Sequence, residues 1–146
     1  MKKETIESRL KNLTETSERQ FGIMTPQHMV EHLILTVKLS YGRIKIPEFE
    51  PNEKQLMQKQ ALIYSEIQFP RGVRAPGLGE ELLELRFPDL ETSKLQLLKS
   101  IEEYDSFFES NPESQTMHPR FGKMTYEEWE RFHKKHFEHH FGQFGI

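Results

Sequence analysis

Apolar residues recur at helical spacing in several stretches separated by polar or proline-rich connections. Glu4 to Leu13 places Ile6, Leu10 and Leu13 on one face and predicts a first short helix, with Thr14 to Gly22 as a polar connection. Thr25-Pro26 is a helix start: the threonine hydroxyl can cap early N–H groups, and proline fits the first helical position. This second helix should run to about Tyr41 and stop at Gly42, with Met29, His32, Thr36 and Leu39 along its inward stripe and Leu35 beside it. Pro47 and Pro51 mark residues 44–52 as a loop. Glu53 to Tyr64 predicts a shorter helix facing inward through Leu56, Met57, Ile63 and Tyr64. Gln68 to Asp89 is rich in proline and glycine and reads as irregular, apart from an extended piece at Leu82 to Phe87. Thr92 to Phe108 predicts a helix whose apolar stripe, bounded by Leu95, Leu98, Ile101, Glu102 and Asp105, is completed by Leu97, Tyr104 and Phe108. Asn111 to Lys123 is a connection, and Thr125 caps a last helix that meets no breaker before Gly142. Strand signals are sparse. The pattern predicts an all-α bundle with long crossover loops, one domain over residues 1–146.

Two of the helix starts echo one another. Phe21-Gly22-x-Met24-Thr25 is repeated as Phe121-Gly122-x-Met124-Thr125, and each leads into a helix with a large apolar residue, Met29 or Trp129, in its first turns. The echo reads either as two similar staples or as the relic of an inverted two-helix repeat.

Composition removes several classes of function. The 146-residue chain carries a net charge of −3 and has no basic excess of the kind that duplex nucleic acids require. It has no cysteine, which excludes thiolate ligands and a cysteine nucleophile, and fits a cytoplasmic protein. The polar start predicts no signal peptide, and no apolar run approaches a membrane span.

The candidate chemistry lies in the histidines. His133, His136, His139 and His140 crowd the last predicted helix. His136 and His140 are four apart, one turn on a common face, a spacing at which two imidazoles can grip one transition-metal ion. Trp129, Phe132 and Gln143 share that arc, with His133 and His139 at its edges. His32 lies about 10 Å along the earlier helix, and the pair about 16–22 Å along the last one. If these helices pack antiparallel, the three rings come level. Buried unpaired imidazoles cost about 1–3 kcal/mol each, and a metal ion satisfies them; zinc, nickel, iron and manganese all accept imidazole. His28 and His32 form a second i, i+4 pair, and His118 before Pro119 reads as structural. A zinc-protease helix needs Glu directly after its first histidine; here Phe137 stands there.

These residues resemble the DinB-like superfamily of small metalloproteins. His32 fits the histidine of an early helix in that superfamily, and His136, His140 and Gln143 fit its H-x-x-x-H-x-x-Q pattern. The fuller pattern resembles an uncharacterised bacterial subgroup: His118-Pro-x-Phe121-Gly122, Glu127-Glu128-Trp129, then His136-x-x-His139-His140-x-x-Gln143-Phe144-Gly145. The resemblance covers both ends of the chain and little of residues 45–90. It implies a four-helix bundle of up-down-down-up topology, with a divalent metal on His32, His136 and His140. It also implies thiol-dependent S-transfer, as in bacillithiol transferases and mycothiol-dependent maleylpyruvate isomerase, or hydrolysis of a small molecule. A low-molecular-weight thiol would then be a co-substrate and a homodimer the family-level expectation. Glu31 is the candidate acid–base residue, and Arg71 and Arg74 are candidates for binding an anionic substrate. The remaining expectation is a non-catalytic module that binds a metal or small ligand.

Overall fold

Helices dominate the computed structural model, which describes residues 1–71 and 82–146. In chain order they are α1 (Lys3–Leu10), α2 (Pro26–Ser40), α3 (Glu53–Ile63), α4 (Leu90–Ser110) and α5 (Tyr126–Gly142), with a small hairpin, β1 (Thr116–His118) and β2 (Gly122–Met124), between the last two. The architecture is an all-α bundle. Capping explains where the helices begin. Thr25 Oγ1 accepts the His28 N–H, with Pro26 following it. Thr125 and Glu128 exchange reciprocal side-chain-to-backbone bonds at the start of α5, as do Asn52 and Gln55 at α3. The Asp89 carboxylate accepts the Thr92 N–H, so α4 opens two residues before the expected Thr92.

α2 packs against α4, α5 and β1. Enclosure on several sides widens its buried arc. Met29, Val30, Leu33, Ile34 and Val37 are buried, and the expected line of His32, Thr36 and Leu39 forms the half-buried edge of that arc. Both ends of α2 show its direction relative to α5. Gln20 N–H, before α2, donates to the Gln143 carbonyl just past α5 at 2.6 Å. At the other end, the Trp129 indole in the first turn of α5 donates to Thr116 Oγ1 at 2.7 Å, and that hydroxyl donates to the Ser40 carbonyl at 2.7 Å. The start of each helix meets the end of the other, so they run antiparallel.

Some inward assignments fail. Leu56, Met57 and Tyr64 of the α3 region are 47%, 72% and 50% exposed, because α3 rests chiefly on α5, with side-chain ties to the hairpin from Gln58 and Lys59, and buries Ile63. Tyr64 anchors through its hydroxyl, which donates to Glu128 at 2.9 Å. Leu95, placed at the border of the α4 stripe, points outward at 67% exposure. The connection 111–123 contains the β1–β2 hairpin, too short to leave an alternating pattern. Residues 82–87 form no strand; they are held by side chains.

The chief tie is Glu31. Its buried carboxylate accepts from the backbone N–H of Arg86 at 2.6 Å and Phe87 at 3.5 Å, from the Ser93 hydroxyl at 3.3 Å and from the Gln27 amide at 2.9 Å. The expected acid–base candidate is thus a brace joining α2, α4 and the segment before α4. Glu31→Ala removes the acceptor shared by four donors from three parts of the chain. It should cost about 2–4 kcal/mol in urea denaturation; a change below about 1 kcal/mol would contradict this role.

The echoed Phe-Gly-x-Met-Thr segments also share backbone geometry. Gly22 and Gly122 have φ of +80° and +75°, and the following threonines have ψ of 166° and 168°. A Cβ at Gly22 would lie 2.6 Å from Gln143 Nε2, and one at Gly122 would lie 2.7 Å from Pro51. Each glycine therefore permits both a left-handed turn and a close approach.

Candidate metal centre

The antiparallel pairing of α2 and α5 brings three imidazoles to one point. His136 Nε2 lies 3.0 Å from His32 Nε2 and 3.1 Å from His140 Nε2. The candidate ligand atoms of the trio all fall within 4.8 Å of one another, and among the described residues no carboxylate joins them. Two nitrogens bound tetrahedrally to one ion at ~2.05 Å stand ~3.3 Å apart. The two separations made by His136 are slightly below that edge, and the His32–His140 separation lies within 4.8 Å. The chemistry of the donors agrees. His140 Nδ1 is 2.8 Å from Gln143 Oε1. The amide oxygen can only accept, so Nδ1 carries the hydrogen and Nε2 keeps its lone pair toward the trio. The three histidines could hold a metal ion.

Burial keeps these rings neutral. Desolvation, with a smaller contribution from His139, lowers the His32 pKa to about 4. Desolvation and the neighbouring His32 bring His140 down to about 3, and desolvation, then His140 and His32, take His136 well below its ordinary value. Neutral imidazoles offer the lone pairs that a cation needs. Aromatic rings close the surroundings: Phe69 lies 5.4 Å and Phe132 5.0 Å from His136, centroid to centroid.

The remaining sequence candidates lie around the trio in different roles. Gln143 orients His140. His28 Nδ1 is 2.6 Å from the Thr25 hydroxyl in the α2 cap, outside the group. His139 is half-buried, between Phe21 at 5.3 Å and Phe69 at 5.8 Å, and beside His140. His133 is fully buried and stacks on Trp129 at 5.4 Å, and among the described residues neither ring nitrogen has a hydrogen-bond partner. Trp129 is core, touching His118, Phe132 and His133. His118 is structural: its Nδ1 accepts the N–H groups of Arg120 and Phe121 at the hairpin. Arg71 lies with its guanidinium carbon 4.2 Å from the centre of the Phe21 ring. Arg74 falls outside the described residues.

Two contributors had no signal in the sequence. Phe69 covers His136 and His139, but it sits in a stretch without periodicity. Lys135 reads as a surface charge on α5. Its ammonium instead donates to the carbonyls of Leu62, Ser65 and Ile67, fixing the chain that leads from α3 to Phe69.

A family model described as "Protein of unknown function (DUF1569)" matches residues 5–145. The chain belongs to the DUF1569 family. The match spans His32, His136, His140 and Gln143. No curated protein and no solved structure matches the chain. Within the DUF1569 chain, Gln143→Leu should free the His140 ring and weaken Zn²⁺ binding about 10–100-fold, read by competition with a chelating dye. An unchanged affinity would mean that the amide does not orient the ligand.

Proposed function

We propose that this protein is a divalent-metal-dependent enzyme of the DinB-like kind, acting on a small molecule through His32, His136 and His140. The observation that carries this reading is the convergence of three neutral imidazole nitrogens, 3.0 and 3.1 Å apart, from two helices. Three neutral donors leave coordination positions for a water or a thiol. A bound divalent ion lowers the pKa of a thiol or a water, which supplies the nucleophile for S-transfer or hydrolysis at neutral pH.

The chain's own residues prepare that chemistry. Gln143 holds the His140 tautomer. Phe69 and Phe132 keep the surroundings of His136 apolar, which strengthens local electrostatics by excluding water. His32 is the partly exposed member of the trio, so the approach from solvent is on its side.

The test has two stages. Protein prepared without a histidine tag should retain or take up close to one equivalent of Zn²⁺, Ni²⁺, Fe²⁺ or Mn²⁺. Metal-loaded protein is then assayed with electrophiles plus a panel of low-molecular-weight thiols, and with ester and amide substrates. Turnover lost in His136→Ala supports the enzyme. Uptake without turnover favours a non-catalytic metal-binding module. Less than a tenth of an equivalent, with melting unchanged by chelator, would end the metal reading.

A further inference from the structure

The charge balance of the trio is incomplete. Three neutral imidazoles supply lone pairs and no negative charge, and among the described residues no Asp or Glu joins them. A divalent ion held there keeps its full +2 in surroundings that burial has desolvated. An anionic group drawn into this region therefore meets positive charge from the ion and no carboxylate to repel it. The nearby ionic side chain adds charge of the same sign. Arg71 lies over Phe21, whose ring also packs on His139, which in turn packs on His140. The series Arg71, Phe21, His139, His140 therefore runs continuously from the surface to the trio. Among the described residues Arg71 forms no ion pair.

The aromatic contact does more than place the charge. A guanidinium held over a ring at this distance spends no hydrogen bond on it, so its N–H groups remain free to meet a carboxylate, which they match in two parallel hydrogen bonds. Phe21 and Phe69 offer apolar ring surface beside the same track, both packed on His139.

We infer that the substrate is a small organic carboxylate, its acid group paired with Arg71 and its apolar body lying on Phe21 and Phe69 beside the three histidines. The inference rests on the proposed metal centre for its charge argument, and the experiment separates the two. Benzoate serves as the probe, with benzamide as its neutral counterpart. Binding is followed by NMR through the Arg71 Nε–H and His139 ring signals, first in metal-free protein and then after loading with Co²⁺ or Zn²⁺.

Benzoate should shift both signals, bind more tightly in the loaded protein, and outcompete benzamide. Arg71→Gln should weaken benzoate by at least ~10-fold, the loss expected for charge-assisted hydrogen bonds, and leave benzamide unchanged. Arg71→Lys, which keeps the charge without the fork, should fall between. Lys99→Gln, an exposed cation on α4, should bind as wild type. Equal benzoate affinity in wild type and Arg71→Gln, or a loss in Lys99→Gln alone, overturns the inference even if the metal binds. Failed Co²⁺ uptake overturns the metal reading instead, and the metal-free comparison of wild type with Arg71→Gln still decides the role of Arg71.

Discussion

His136→Ala is expected to lower the affinity for Zn²⁺ or Ni²⁺ by more than about 100-fold. Disturbing a mere outer partner of a metal-ligating histidine already costs about 10–100-fold. His136 is the member whose Nε2 contacts both others, so its loss leaves His32 and His140 without their common neighbour. The consequence should be visible without any assay of turnover. A ligand at 100 times its Kd stabilises the folded chain by about 2.7 kcal/mol, a rise in Tm of roughly 5–10 °C for a domain of this size. Wild type should show that rise on addition of metal and reverse it with chelator; His136→Ala should show neither. His28→Ala is the informative control. His28 is four residues from His32, as His136 is from His140, yet it belongs to the α2 cap. A metal-induced rise that survives in His136→Ala but disappears in His28→Ala would move the centre to the other pair.

Acid should destabilise the protein strongly. Burial holds His118 and His133 at about 3, far below the ordinary 6.5. Both are neutral in the folded chain and take a proton near pH 6.5 once it unfolds. Between those two values the unfolded state binds more protons, so stability is full above 6.5 and falls as pH drops toward 3. Each group contributes up to ~1.4 kcal/mol per pH unit in that window. At pH 5 the two together account for up to ~4 kcal/mol, a large part of the 5–15 kcal/mol typical of a folded domain. The neutral trio acts in the same direction. Metal-free protein should therefore lose more than about 10 °C of Tm between pH 7 and 5. His133→Phe removes one of the protons and two buried nitrogens that have no hydrogen-bond partner among the described residues. Its stability relative to wild type should be about 2 kcal/mol greater at pH 5 than at pH 8. A level Tm from pH 7 to 5 would refute the burial argument.

The residues of the trio could be read from the chain because helical spacing is a local rule. Thr25 and Thr125 determine where α2 and α5 begin, and counting from each cap gives the depth of His32, His136 and His140. Antiparallel pairing then follows from contacts at both helix ends. Helix faces were harder to read. The apolar residues of α3 suggested an inward face, but which face is covered depends on the neighbours, and α3 packs chiefly on α5. Glu31 shows a different limit. A carboxylate in a helix beside a candidate metal ligand looks like chemistry. Its true partners, Arg86, Phe87 and Ser93, are more than fifty residues away, and no local pattern connects them. Lys135 and Phe69 were hidden for the same reason.

The protein contains a single tryptophan, and it stacks on a buried imidazole one helical turn from His136. An excited indole transfers an electron readily to imidazolium and poorly to neutral imidazole. Emission from Trp129 should therefore dim when acid first opens this helix, and brighten if a ligand rigidifies it. The molecule thus carries its own optical gauge of the centre, with no label required.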